Sequence, residues 1–279
     1  MILPHWHPHP DVWLVLGGTW AAYVMAVRRH RGRVPADDRN ERRRLWMFSL
    51  GMLTLWIAST WPIHDLAEDY LFSVHMIQHL LYMLVAPPLL IAGSPPWLLR
   101  RILGPTPVRV VVRFLVRPVV AFILFNAVLL FIHWPAVVAA QLDSELAHFG
   151  IHLLTVSVSL VMWWPVMSPL PEMPALSPPG QMLYLFFQSL APTIPASFLT
   201  FGTSILYPAY AAFPRIWGIS VHSDQLVAGL IMKLGGGLVL WGFVATIFFR
   251  WHAREERDGW DALQLRHVER EVRSELTKP

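Results

Sequence analysis

Apolar residues gather in seven long runs separated by short polar segments. The runs fall at about 11–27, 45–61, 71–92, 117–134, 148–168, 181–201 and 224–249. Each is close to the roughly 20 residues that a helix needs to cross a bilayer core. A spanning helix satisfies its backbone hydrogen bonds internally, as lipid requires. The stretch before Arg117, "VRVVVRFLVRP", carries too many arginines for a span and reads as interfacial. No internal repeat of fixed period is visible. The pattern predicts an all-α polytopic membrane protein with seven transmembrane helices in one bundle. A His-rich tail over 1–10 precedes the membrane domain over 11–249, and a charged tail over 250–279 follows it.

Composition agrees with the pattern. Of 279 residues, 55% are hydrophobic and 14% charged, against about 25% charged in a soluble domain. Cysteine is absent, which excludes disulfides, thiolate metal sites and thiol redox chemistry. The start, "MILPHWHPHP", lacks the basic region of a signal peptide, so no cleavage is expected.

Arginine sets the orientation. "RRHRGRVPADDRNERRR", the segment holding Arg100, Arg101, Arg109, Arg113 and Arg117, and "RWHAREER" fall on one side of a seven-helix count. The opposite side receives the N-terminus, "PIHDLAEDY", "PAVVAAQLDSE" and "FGTSILYPAYAAFPRIWGISVHS", with Arg215 as its single arginine and no lysine. The expectation is an N-terminus outside and a C-terminus in the cytoplasm.

Thirteen histidines are unevenly spread over that map. His30, His252 and His267 lie among basic residues on the inside. His5, His7, His9, His64, His75, His79, His133, His148, His152 and His222 lie outside or in the outer halves of helices. Residues four apart share a helix face. His75 and His79 form one such pair, and Met83 continues their stripe. His148 and His152 form a second, with Glu145 three residues before it. The seventh run begins with Asp224, and Met232 lies two turns below. At 1.5 Å per residue, His79 and Met232 sit about 12 Å below their helix starts.

A single His pair is as well explained by hydrogen bonding between helices as by a metal. Two pairs on the same side, each with a carboxylate nearby, favour a metal. Imidazole suits Cu, Zn, Fe and Ni, and thioether sulfur selects Cu(I). The candidate ligands are His75, His79, His148 and His152, with Met83, Met232, Glu145 and Asp224 completing or relaying. Copper, as Cu(I), is the expected ion, with zinc as a substitute in purified material. The tail histidines are a candidate auxiliary collector. Asp224 also suits a helix N-cap, and the methionines also suit core filling. "HMIQH" lacks the glutamate of H-E-x-x-H, and no Gly-rich phosphate loop is present, so the pattern predicts neither an enzyme nor a nucleic-acid binder. A b-type haem protein and a His-box membrane metalloenzyme are the alternatives.

Other features carry their own expectations. "GGG" at 235–237 reads as close helix packing. Trp61-Pro62, Trp134-Pro135 and Trp164-Pro165 read as interface anchors that end helices. Lys233 lies near mid-membrane with no partner evident in the sequence. Tyr207, Tyr210 and Trp217 are candidate docking residues for a partner.

"HMIQHLLYMLVAPPLLIAGSPP", "ELAHFGIHLLTVSVSLVMWWPV" and "LYPAYAAFPRIWGISVHSDQLVAGLIM" resemble the caa-type cytochrome c oxidase assembly factor family (CtaG, multi-pass membrane type). The resemblance runs from about Trp46 to Arg250. Its motif positions here are His75, Met76, Gln78 and His79, then Glu145, His148 and His152, then Asp224, Gln225, Gly229 and Met232. It implies a multi-pass protein of the bacterial plasma membrane that works as a chaperone with cytochrome c oxidase subunits, and a role in copper delivery.

Overall fold

A computed structural model describes residues 6–31, 38–104 and 106–276, with side chains described to residue 259 except that of residue 38. His5 of the tail lies outside the described residues. All regular structure among them is helical.

Helix α1 (Pro10–Arg31) flanks α2 (Asp38–Ala58). Trp20 Nε1 donates to Ser49 Oγ at 3.0 Å, and Tyr23 stacks on Phe48. A turn with a cis Trp61–Pro62 bond leads to the short α3 (Ile63–Asp69). The central span follows as α4 (Phe72–Leu80), a π-helical turn over Leu81–Val85, and α5 (Ala86–Gly93). It is the most enclosed of the long helices. Prolines explain the π turn. Pro87 has no N–H for the carbonyl of Met83, four residues back. That freed oxygen instead accepts from Trp163 Nε1 at 2.9 Å. Helix α2 packs tightly on α5: a Cβ on Gly93 would stand 2.4 Å from the Phe48 nitrogen, so only glycine permits this approach.

After α6 (Pro96–Ile102), α7 (Thr106–Leu115) meets α8 (Pro118–Ile132) at 78°. The arginine-rich stretch read as interfacial is therefore turned sharply from the apolar helix it precedes. Next come α9 (Pro135–Asp143), α10 (Glu145–Met167), α11 (Pro178–Leu190) and α12 (Thr193–Phe201). The last pair is α13 (Val221–Leu230) and α14 (Gly236–Leu276), joined by a π-helical turn over Ile231–Gly235.

Among the described residues, five helical segments are long and apolar enough to cross a membrane, and six if the bent α7–α8 pair is one span. The run predicted over 45–61 forms most of α2. Glu41, Arg42, Arg43 and Arg44 occupy the early turns of that helix and leave a shorter apolar stretch than the others have. Trp164-Pro165 lies inside α10 rather than beyond its end, with Trp164 Nε1 donating to the Met173 carbonyl. Gly235 and Gly236 do pack closely, both against Leu80, whereas Gly237 faces open space.

The two ends of the bundle differ in chemistry. At one, Arg44 donates to the Ser94 carbonyl, Arg100 pairs with Glu172 at 2.7 Å, and Arg113 donates to the Glu172 carbonyl. At the other, the segment between α12 and α13 folds over α3 and the start of α4. Tyr207 OH donates to the His133 carbonyl, Tyr210 OH to that of Ala67, and Arg215 to that of Tyr70. Tyr207 and Tyr210 are therefore buried struts, not docking residues; Trp217 alone of the three is exposed.

Candidate metal centre

The histidine-rich end holds a connected group of imidazoles from four helices and the tail. His64 and Glu68 lie one turn apart on α3, and His148 and His152 lie one turn apart on α10. A ring nitrogen from each of His64, His148 and His152 falls within 4.8 Å of the others. Some point then lies within about 2.8 Å of all three (4.8/√3), against about 2.0–2.1 Å for a metal–imidazole bond. Side-chain shifts of less than an ångström would close the group around an ion.

Glu68 bridges two of its members. Its Oε1 is 2.7 Å from His64 Nε2 and 2.6 Å from His148 Nε2. Glu68 Oε1, both ring nitrogens of His148, and His152 Nε2 are buried without an aligned hydrogen-bond partner. Such atoms are costly to leave unsatisfied. Imidazole nitrogens and a carboxylate oxygen this close, without aligned hydrogen bonds, form a donor set that fits a cation. Burial alone would raise the Glu68 carboxyl, but the adjacent imidazoles of His148 and His64 outweigh it and hold the group below the ordinary carboxylate range.

Neighbouring groups orient the ligands. His64 Nδ1 lies 3.0 Å from Gln78 Nε2, which itself donates to the Ala58 carbonyl at 2.7 Å. That leaves His64 Nε2 as the atom facing Glu68. Such outer partners fix ring orientation at metal sites. The tail docks here as well. The His7 N–H donates to Asp65 Oδ2, His9 Nε2 lies 3.0 Å from Asp65 Oδ1, and the His9 ring stands 4.6 Å from that of His64. A cavity of about 510 Å³ adjoins the cluster, with His9, His64, Glu68, Glu145, His148 and His152 among its walls.

The predicted ligands divide. His148 and His152 join the central group. The His75 and His79 rings lie 4.3 Å apart between centroids, tilted by 40°, and His79 stands 6.3 Å from His152, so they form a neighbouring group. Glu145 is exposed at the start of α10 and lines the outer cavity. Asp224 has a different task. Its two carboxylate oxygens accept the Phe72 and Ser73 N–H groups at 2.8 and 2.9 Å, capping α4 from a distant part of the chain. Met83 and Met232 lie in the main apolar core. Lys233 finds acceptors at the break between α11 and α12, the Ser189 carbonyl and the Thr193 hydroxyl.

His64 and Glu68 were missing from the predicted ligand set. Their four-residue spacing stands in "HDLAE", in a segment between two of the apolar runs.

The sequence profile of the cytochrome c oxidase caa3 assembly factor family (Caa3_CtaG) matches residues 21–254. The chain belongs to this family. No curated protein and no solved structure shows significant similarity to it. Membership supports a role in cytochrome c oxidase assembly, and the apolar helices support a membrane protein. The histidine triad and Glu68 lie inside the matched region, as does every predicted ligand.

Proposed function

We propose that this CtaG family member binds copper at the extracytoplasmic face and delivers it to cytochrome c oxidase subunits during assembly, without itself catalysing a reaction. The observation that carries the reading is the clustering of His64, His148 and His152, two of them buried and one half-buried, with Glu68 against His64 and His148. His75 and His79 extend the ligand supply inward. Glu145 and the docked tail histidines line the approach from the outer cavity. Copper here is cargo, so its coordination must remain open to exchange. A triad this compact favours a small ion over haem, whose axial ligands must reach opposite faces of a porphyrin.

The reading places the histidine-rich end outside and the arginine-rich end in the cytoplasm of a bacterial plasma membrane, following the distribution of arginine. It counts α2 as the seventh span, the arginines of its early turns lying at the inner interface.

Metal analysis of purified protein tests the site. The expected result is stoichiometric copper or zinc in the native chain and its loss in a His64→Ala, His148→Ala double variant that stays folded. Unchanged metal content in that variant would sink the proposal. For delivery, a deletion strain should make the oxidase polypeptides but lack oxidase activity, partly restored by added copper. Normally metallated oxidase in that strain would contradict it.

A further inference from the structure

A second group of donor atoms lies deeper, where α4 faces α8 and the π turn after α13. The His79 ring is buried, and neither of its nitrogens has a hydrogen-bond partner. His133 follows the last turn of α8, 5.5 Å from His79 between centroids. Its Nδ1 lies 2.7 Å from the Leu129 carbonyl, which holds the ring, while its Nε2 is buried and unpartnered. Three unsatisfied imidazole nitrogens in an apolar interior are costly unless something binds them.

Space for an occupant exists between them. His79 and His133 line a cavity of about 40 Å³, and Met76, Met83 and Met232 line it too. Its wall contains no carboxylate. Lys233 contributes to it, with the ammonium donating to Ser189 and Thr193. This wall differs in kind from the outer centre, where a carboxylate stands against two of the three imidazoles. A divalent ion gains from the charge of Glu68 and finds no compensating charge in the inner cavity. A soft monovalent ion loses less by that lack, and thioether sulfur prefers it.

We propose that the inner cavity is a second metal site, selective for Cu(I), with His79 and His133 supplying nitrogen and Met76, Met83 and Met232 supplying sulfur. The proposal deepens the copper reading of the outer triad and rests on it, but its ligand set is separate. The ring of His79 lies 6.3 Å from that of His152, so an ion passes between the sites by exchanging one imidazole for another. It remains Cu(I) throughout, so no electron moves. The outer site, beside the large cavity, is the exchange point; the small inner cavity is the store.

The test uses the full chain in detergent, loaded anaerobically with Cu(I) and, separately, with Zn(II). The native protein should bind about one more equivalent of Cu(I) than of Zn(II), and X-ray absorption should show copper–sulfur scattering. A Met76→Leu, Met83→Leu, Met232→Leu variant keeps the core volume nearly unchanged. It should lose the sulfur scattering and about one Cu(I) equivalent while keeping its Zn(II). His133→Phe should lose the same Cu(I) equivalent. Native protein without sulfur scattering, or a triple methionine variant with full Cu(I) content, overturns the inner site. If Zn(II) binding still depends on His64 and His148, the outer reading survives that failure. If neither metal binds the native chain, both fall.

Discussion

Replacing Asp224 separates a structural role from a ligand role. Its carboxylate accepts two backbone N–H groups, from Phe72 and Ser73, at the first turn of the helix that carries His75 and His79. Hydrogen bonds to charged groups contribute about 1.5–3 kcal/mol each, and the helix dipole adds to the effect of a negative charge placed there. Asp224→Ala removes both bonds and strands two buried donors, a loss of about 3–5 kcal/mol. Asp224→Asn keeps one acceptor and turns an amide N–H toward the other donor, a loss of about 1.5–3 kcal/mol. At roughly 2–4 °C per kcal/mol for a chain of this size, the Ala variant should melt about 6–20 °C below the native protein. The Asn variant should fall in between. Fourteen tryptophans make intrinsic fluorescence in detergent a suitable reading of unfolding. Zinc content measured on the folded fraction should stay at the native level in Asp224→Asn. An Ala variant melting within about 2 °C of native would refute the capping argument. A stable variant that had lost its metal would restore Asp224 to the ligand set.

Metal affinity should fall as pH drops, because protons compete with the ion for imidazole nitrogen; Glu68, held below the ordinary carboxylate range, stays ionised and does not set that fall. Equilibrium binding from pH 8 to pH 5 checks this, and a flat profile contradicts it. Gly93→Ala should destabilise the α2–α5 contact by several kcal/mol, since the added carbon meets Phe48 backbone at 2.4 Å; an unshifted melting curve would show that the helices separate freely. Single cysteines at the exposed positions Arg43 and His222, in a chain that has none of its own, should report opposite sides. An impermeant thiol reagent should label position 222 but not position 43 in intact cells, and the reverse result inverts the topology.

The sequence by itself determined what depends on local pattern. Apolar runs near the thickness of a bilayer placed the long helices, because a backbone in lipid has few other options. Periodicity paired His75 with His79 and His148 with His152, since a four-residue step returns to the same helix face whatever the tertiary fold. The arginines marked one end of the bundle before any contact was known. Other features needed tertiary structure because they depend on which helices meet. Nothing local reveals that Asp224 caps a helix 152 residues away, or that Lys233 reaches the break after α11. The triad required α3 to fold back over the mouth of the bundle. That placement is held by Gln78 on His64, the tail on Asp65 and Tyr210 on the Ala67 carbonyl. His64 and Glu68 became candidates only through it. A metal site is a volume enclosed by donor atoms from several segments, and sequence spacing constrains only the donors that share one helix.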